Sequence, residues 1–153
     1  MAFDIKRPLQ IIQTYVGGSG YVSDCVIGEP KNAPNAQEQP FAAVYMDNVS
    51  VYGLTVGGST REIHVIVVRL YLDMKKEPSE GVEIELAQTV QEVISDVLAD
   101  ADLGGNVMTV DTAGMAGESI ATTWGYEEIS GFTYRVADIR MPILVDDSAT
   151  MAV

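Results

Sequence analysis

The chain has 153 residues, which fits one domain large enough to bury its own apolar core. Hydrophobic residues make up 47% and charged residues 20%, a composition that excludes an intrinsically disordered chain. With 22 acidic and nine basic residues the formal net charge is -13, so the averaged field disfavours tight wrapping of nucleic acid but lets DNA pass nearby without adhering.

The chain begins with a predicted helix followed by a long loop. Apolar residues at helical spacing predict the helix over Phe3–Val16, with Pro8 in its first turn. The following segment, 17–40, opens with glycines and carries prolines and few bulky apolar residues, which predicts a loop. Loops of this length are uncommon in compact domains unless they bind something, so this segment is a candidate contact arm.

Two strand regions follow the loop. Phe41–Val56 alternates and is rich in Val and Tyr, which predicts a strand, or a hairpin with its bend at Asp47 and Asn48. Arg61–Asp73 is the stronger strand pattern, and the residues of both its faces are largely apolar. We therefore expect it to be a central strand, covered on each side by helices or by a neighbouring subunit.

A second helix is predicted after Ser79, which is a plausible N-cap residue. Apolar residues recur at helical spacing from Leu86 to Leu98, with acidic residues on the other faces, and Gly104 marks the expected end. A short segment at Val107–Val110 follows the helix.

The last predicted elements form a hairpin. Ile120–Ile129 and Phe132–Val145 alternate and are joined by Ser130 and Gly131. Pro142 suggests that the end of the second arm lies at a sheet edge, because proline cannot donate to a strand ladder. Residues 146–153 are small and acidic and are predicted to form a flexible C-terminal tail.

This order predicts an α+β fold with one domain over residues 1–153. We expect a mixed, mainly antiparallel sheet with two main helices packed on one face. The longest strongly apolar run, 64–72, is shorter than the roughly 20 residues needed to cross a bilayer, so we expect no membrane partner.

The residues that usually carry catalysis form no recognisable pattern. His64 is the only histidine and Cys25 the only cysteine, and neither lies in a nucleophile motif. The glycine clusters contain no phosphate-binding loop, and the Asp pairs lack the spacing of a calcium loop. We therefore expect no catalytic, cofactor-binding or metal-binding residues, and a protein that is not an enzyme.

Four residues are candidates for an interface. Trp124 and Tyr126 lie in a turn-rich hairpin, where exposed aromatic side chains often anchor contacts, although the sequence slightly favours core packing for them. Arg69 and Arg140 interrupt apolar strands. Each is expected to pair either with an acidic residue of a neighbouring subunit or with one in its own chain.

The segments PFAAVYMDNVSVYGL, REIHVIVVRLYLD, VEIELAQTVQEVISDVL and FTYRVADIRMPILVDD, taken in this order, resemble the tail terminator (tail completion) proteins of siphophages. The resemblance covers most of the chain and rests on pattern and length. It implies a structural virion protein that forms a homohexameric ring, caps the tail tube and joins it to the neck or stopper protein. Assembly would take place in the host cytoplasm, and the ring would lie at the head–tail junction.

The implied ring also makes an expectation about DNA. The genome would pass through the lumen without specific binding, and we expect acidic residues to line the channel and keep DNA sliding. Other interpretations remain open: another neck protein, such as a head-completion stopper or adaptor, or, in a different class, a small ligand-binding module or hydrolase.

Overall fold

In the computed structural model, the described residues are 6–54, 60–75, 79–100, 108–112, 114, 117 and 119–146. They form two helices and six strands in the order α1 (Lys6–Gly17), β1 (Cys25–Ile27), β2 (Phe41–Leu54), β3 (Thr60–Asp73), α2 (Ser79–Ala99), β4 (Met108–Val110), β5 (Ala121–Ile129) and β6 (Phe132–Asp146). No helix among them is long and apolar enough to cross a membrane.

The strands form one mixed sheet of six strands. Its order is β1, β2, β3 and β6, and the far side of β6 is shared by β4 and β5. β1 pairs with β2 in parallel, whereas all the other pairs are antiparallel. The predicted α+β class with a mixed, mainly antiparallel sheet is confirmed.

β3 is central, as its two apolar faces predict. β2 and β6 pair with it along almost its whole length. Ile66 and Leu70 on one face and Val65 and Val67 on the other are all at most 2% exposed. Burial on both faces explains why hydrophobic residues run continuously here, where a strand with one solvated face would alternate.

Two hydrophobic clusters hold the sheet. The first combines side chains of α1 and α2 with alternate residues of the strands, among them Ile12, Leu86, Leu70 and Ile139. The second contains residues from the opposite register positions of the strands, with Phe41 and Tyr134 packed edge-on against Tyr71. The periodicity of two along β3 and β6 therefore divides their side chains between the clusters.

The helices follow their predicted patterns. α1 carries Pro8 in its first turn, where a missing N–H costs no intrahelical hydrogen bond. α2 begins at Ser79 and ends at Ala99, whereas the predicted end at Gly104 lies outside the described residues. The Tyr21 hydroxyl donates to the Asp96 carboxylate over 2.9 Å and so ties the segment after α1 to α2.

The segment 17–40, predicted as a loop, contains the strand β1. The rest of the segment is held by specific contacts: the Ala36 carbonyl accepts from the Asp73 N–H over 2.9 Å, and the Pro34 carbonyl accepts from the Tyr134 hydroxyl over 3.3 Å. Ala36 itself is fully buried. These bonds lay the segment against the second cluster.

The bend predicted at Asp47 and Asn48 is a bulge within one continuous strand. The pairing register with β3 shifts between Met46 and Asn48, so β2 bends without forming a hairpin of its own. The hairpin predicted at Ser130 and Gly131 is confirmed. Both residues have positive φ angles, 53° and 82°, as a tight two-residue turn between antiparallel strands requires.

The edge position predicted from Pro142 is wrong. β6 is an interior strand, and Pro142 pairs with Val65 of β3 on one side. On the other side it lies between the residues paired with β5, which end at Arg140, and those paired with β4, which begin at Ile143. The Pro142 carbonyl accepts from the Asp111 N–H over 2.8 Å. The proline is tolerated because it falls where one neighbouring strand replaces another.

At both ends of the chain, part of the predicted structure falls on residues outside the described ranges. The first turn expected at Phe3 and Ile5 lies outside the described residues. The predicted tail begins at Asp146, which is the last residue of β6, and residues 147–153 lie outside the described part.

Candidate interface surfaces

Arg69 is held in an ion-pair network within its own chain. Its Nε and Nη2 atoms donate to the two carboxylate oxygens of Asp138 over 2.6 and 3.0 Å. Its Nη1 atom lies 3.4 Å from Glu29 and 3.7 Å from Glu127. The side chain is only 16% exposed. Arg69 was expected to pair with an acidic residue either of a neighbouring subunit or of its own chain. The structure shows the pair within its own chain.

Burial and charge in this network shift the ionisation of its members. The hydrogen bonds to Asp138 hold the pKa of Arg69 above its ordinary value. Burial, followed by the negative charge of Asp138, raises the pKa of Tyr45 to about 12. The Arg69 guanidinium also lies 5.6 Å from the centre of the Tyr45 ring. Arg69 and its three carboxylate partners therefore form an ion-pair network on one face of the sheet.

Arg140 also pairs within the chain, but nearer to solvent. Its Nη1 atom lies 2.5 Å from the Asp47 carboxylate, and the two side chains are 31% and 42% exposed. Asp47 occupies the β2 bulge, which aims its side chain across the sheet. A single exposed contact of this kind contributes little to stability.

Trp124 and Tyr126 are the candidates that remain at the surface, with 39% and 62% of their area exposed. The Arg135 guanidinium lies 5.9 Å from the Trp124 ring centre and 4.5 Å from that of Tyr126. Arg135 also donates to Glu83 of α2 and to the Gly125 carbonyl. The arginine fixes the two rings beside α2 as a rigid aromatic surface.

A second exposed apolar surface lies towards the opposite lateral edge of the sheet, on β1 and β2. Ile27 on β1 and Val49 and Val51 on β2 are 45%, 45% and 60% exposed. Sequence reasoning did not single them out. The signal was present, because Val49 and Val51 are two residues apart and so lie on one face of a strand, but the fully buried β3 has the same spacing.

His64 and Cys25 both lie inside the protein. The His64 Nε2 atom is 2.9 Å from Glu62, and the residue is 2% exposed. Cys25 is buried in the first cluster, and burial raises the pKa of its thiol to about 12. Within the described ranges, no three His, Cys, Asp or Glu residues come together in a way that could hold a metal ion.

The net charge is confined to one half of the sequence. Residues 1–76 contain seven basic and seven acidic residues, whereas residues 77–153 contain two basic and 15 acidic ones. From 77 to 134 there is no Lys or Arg. The second half contributes α2, β4, β5 and β6, so these elements carry the acidic excess.

No protein family model matches the chain, and no curated protein matches it.

Proposed function

We propose that the protein is a structural subunit of a phage virion, a tail terminator that forms a ring, caps the tail tube and joins it to the neck. The observation that carries this proposal is the position of its exposed apolar side chains. They lie towards opposite lateral edges of one sheet: Val49 and Val51 are on β2, and Trp124 and Tyr126 are on β5. A subunit of a closed ring makes heterologous contacts and therefore needs two different patches.

The finer architecture belongs to the same proposal: both helices pack on one face of the sheet. Support comes from the first cluster, in which Ile12 of α1 and Leu86 of α2 meet the same set of strand residues. A sheet covered by its own helices on one side can use its lateral edges for contacts between copies.

The proposed partners follow from this role. They are further copies of the chain in a hexameric ring, the tail tube protein, and the neck or stopper protein. The acidic excess supports a channel through which DNA passes without being held, because phosphate affinity depends on basic side chains. The proposed location is the head–tail junction of a virion assembled in the host cytoplasm.

The test combines native mass spectrometry with electron microscopy of the protein alone and on purified headless tails. We expect a closed sixfold ring. The double variant Val49→Asp/Val51→Asp should abolish it, because two charges would enter the contact. Ile84→Asp is the matched control, since Ile84 is 50% exposed on α2, away from β2.

Three outcomes would contradict the proposal: rings that form equally well in the β2 variant, monomers both in solution and on tails, and binding only to DNA-filled heads. The last result would instead identify a stopper or adaptor, because a terminator joins tails before heads are present.

A further inference from the structure

Within the part of the chain that the structure describes, the sheet is exposed on the α2 side along β5. Among the described elements, α2 contacts β3 and β6, whereas α1 contacts β1 and β2. Trp124 pairs with Ala137, which is fully buried in the first cluster, so the Trp124 side chain lies on the same face as that cluster. Tyr126, two residues further, shares this face. Both rings nevertheless contact solvent.

The uncovered strip has the dimensions of a helix site. Packed helices lie about 8–10 Å apart, and neighbouring strands about 4.8 Å apart. Because α2 contacts both β3 and β6, a second helix packed beside it would lie about two strands further along the sheet, at the outer edge of β5. At the far end of the strip, Leu98 is 41% exposed and, with Ile94 and Ile120, lines an open cavity of about 300 Å³.

Charge identifies the kind of helix that fits. Glu80, Glu83 and Glu128 are exposed beside the strip. Arg135 pairs with Glu83, so Glu80 and Glu128 supply the acidic charge that is left for a partner. A basic partner complements this surface. A second copy of the chain is a weaker match in overall charge, because its first half has equal numbers of acidic and basic residues and its second half is acidic.

Arg135 shows how a basic side chain binds at this place. Its guanidinium contacts the faces of Trp124 and Tyr126, pairs with Glu83 and donates to the Gly125 carbonyl. The surface thus combines aromatic rings, carboxylates and a backbone acceptor, which together recognise a guanidinium or an ammonium group.

We infer that the strip between α2 and β5, lined by Trp124, Tyr126, Ile94 and Leu98, binds a basic amphipathic helix of a different protein. The apolar face of that helix packs on the aromatic rings and Leu98, and its Lys and Arg residues face Glu80 and Glu128. The inference uses the chemistry of this surface alone. It assigns Trp124 and Tyr126 to a different protein, so a ring would have to use other residues on the β5 side of the sheet, and the helix and a second copy are tested as alternative occupants.

The experiment titrates the full-length protein with a dye-labelled synthetic helix in which Leu and Lys repeat at helical spacing. Fluorescence anisotropy gives the affinity. Trp124, the only tryptophan, reports coverage of the strip by a blue shift of its emission. A Lys/Ser peptide of equal charge and a Leu/Glu peptide of equal apolar content are the comparison probes. We expect saturable binding of the Leu/Lys helix with the emission shift, and neither for the other peptides.

Variants locate the binding site. Tyr126→Ser with Leu98→Ser should weaken binding roughly tenfold or more, as loss of an interface anchor does, whereas Val51→Ser, at an equally exposed apolar residue of β2, should leave it unchanged. Glu128→Gln should weaken binding more than the matched Glu38→Gln. Circular dichroism checks that each variant is folded.

The inference is overturned if the Lys/Ser peptide binds as tightly, or if the β5 and β2 variants behave alike. It is also overturned if raising the protein concentration alone shifts Trp124 emission and excludes the helix, since the occupant is then a second copy. Ring formation is scored separately by native mass spectrometry. A ring in which a second copy covers Trp124 overturns the inference, whereas failure to form a ring contradicts only the proposed function.

Discussion

The Arg69–Asp138 pair should stabilise the fold far more than Arg140–Asp47, a more exposed cross-strand ion pair. Arg69 makes a two-bond contact with Asp138 at 16% exposure, whereas Arg140 makes a single contact with Asp47 at 31% exposure. Hydrogen bonds to charged groups contribute about 1.5–3 kcal/mol, and exposed ion pairs about 0.2–1 kcal/mol.

Replacing Asp138 by Asn keeps the size of the side chain but removes the charge. Glu29 and Glu127 still lie near the guanidinium. The variant should therefore lose about 2 kcal/mol of unfolding free energy, which is less than the loss for a buried cation without any partner. In a chain of this size that corresponds to a fall in Tm of roughly 4–8 °C.

The assay is a double-mutant cycle measured by urea denaturation and followed by circular dichroism. Arg69→Met, Asp138→Asn and the double variant form the cycle, and Arg140→Met with Asp47→Asn form the matched control. We expect a coupling energy of about 1–2 kcal/mol for Arg69–Asp138 and below about 0.5 kcal/mol for Arg140–Asp47. Equal coupling energies would refute the argument from burial and bidentate geometry.

Three further predictions concern single residues. Gly131→Ala should lower the unfolding free energy by about 1 kcal/mol in a thermal melt, because φ is 82° at this residue. The control Gly125→Ala should cost less, since a Cβ there would meet only a Val136 methyl group at 3.8 Å, and equal costs would contradict the turn assignment. Cys25 should resist alkylation at pH 8 in the native protein and react in urea, because burial raises its pKa to about 12; rapid native labelling would disprove that burial. The raised pKa of Tyr45, about 12 against the ordinary 10.0, contributes stability that is complete below pH 10 and is lost as the pH rises towards 12; Tyr45→Phe should flatten this loss in alkaline melts, and an unchanged pH profile would exclude the contribution.

The strongest sequence predictions were those that depend on local periodicity. β3, α2 and the hairpin at Ser130 and Gly131 were predicted because each has a pattern that its own residues complete. β1 was missed because its three residues are too few to alternate and its parallel partner β2 follows only after a connection of thirteen residues. The edge position predicted from Pro142 was wrong because the sequence does not show that two different strands, β4 and β5, pair with the same side of β6.

The candidate residues show a similar limit. The partners of Arg69 lie at positions 29, 127 and 138, which only the sheet brings together. Periodicity showed that an arginine interrupts an apolar strand, but not whether its partner belongs to the same chain. The exposure of Trp124 and Tyr126 has the same origin, because it depends on α2 packing mainly over β3 and β6.

The hydrogen bonds of β1 restrict how copies of the chain can join. Asp24 and Gly28 supply the ladder bonds to β2, so by alternation the N–H and C=O groups of Cys25 point away from β2. The Cys25 N–H donates to the Asp24 carboxylate over 2.8 Å, and its carbonyl accepts from the Gln13 side chain over 3.0 Å. At Cys25 this edge is therefore already occupied by side chains, which protects that part of β1 against strand addition. In the proposed ring, a contact on this side of the sheet would use β2 beyond Val44, where β1 ends and Val49 and Val51 are exposed.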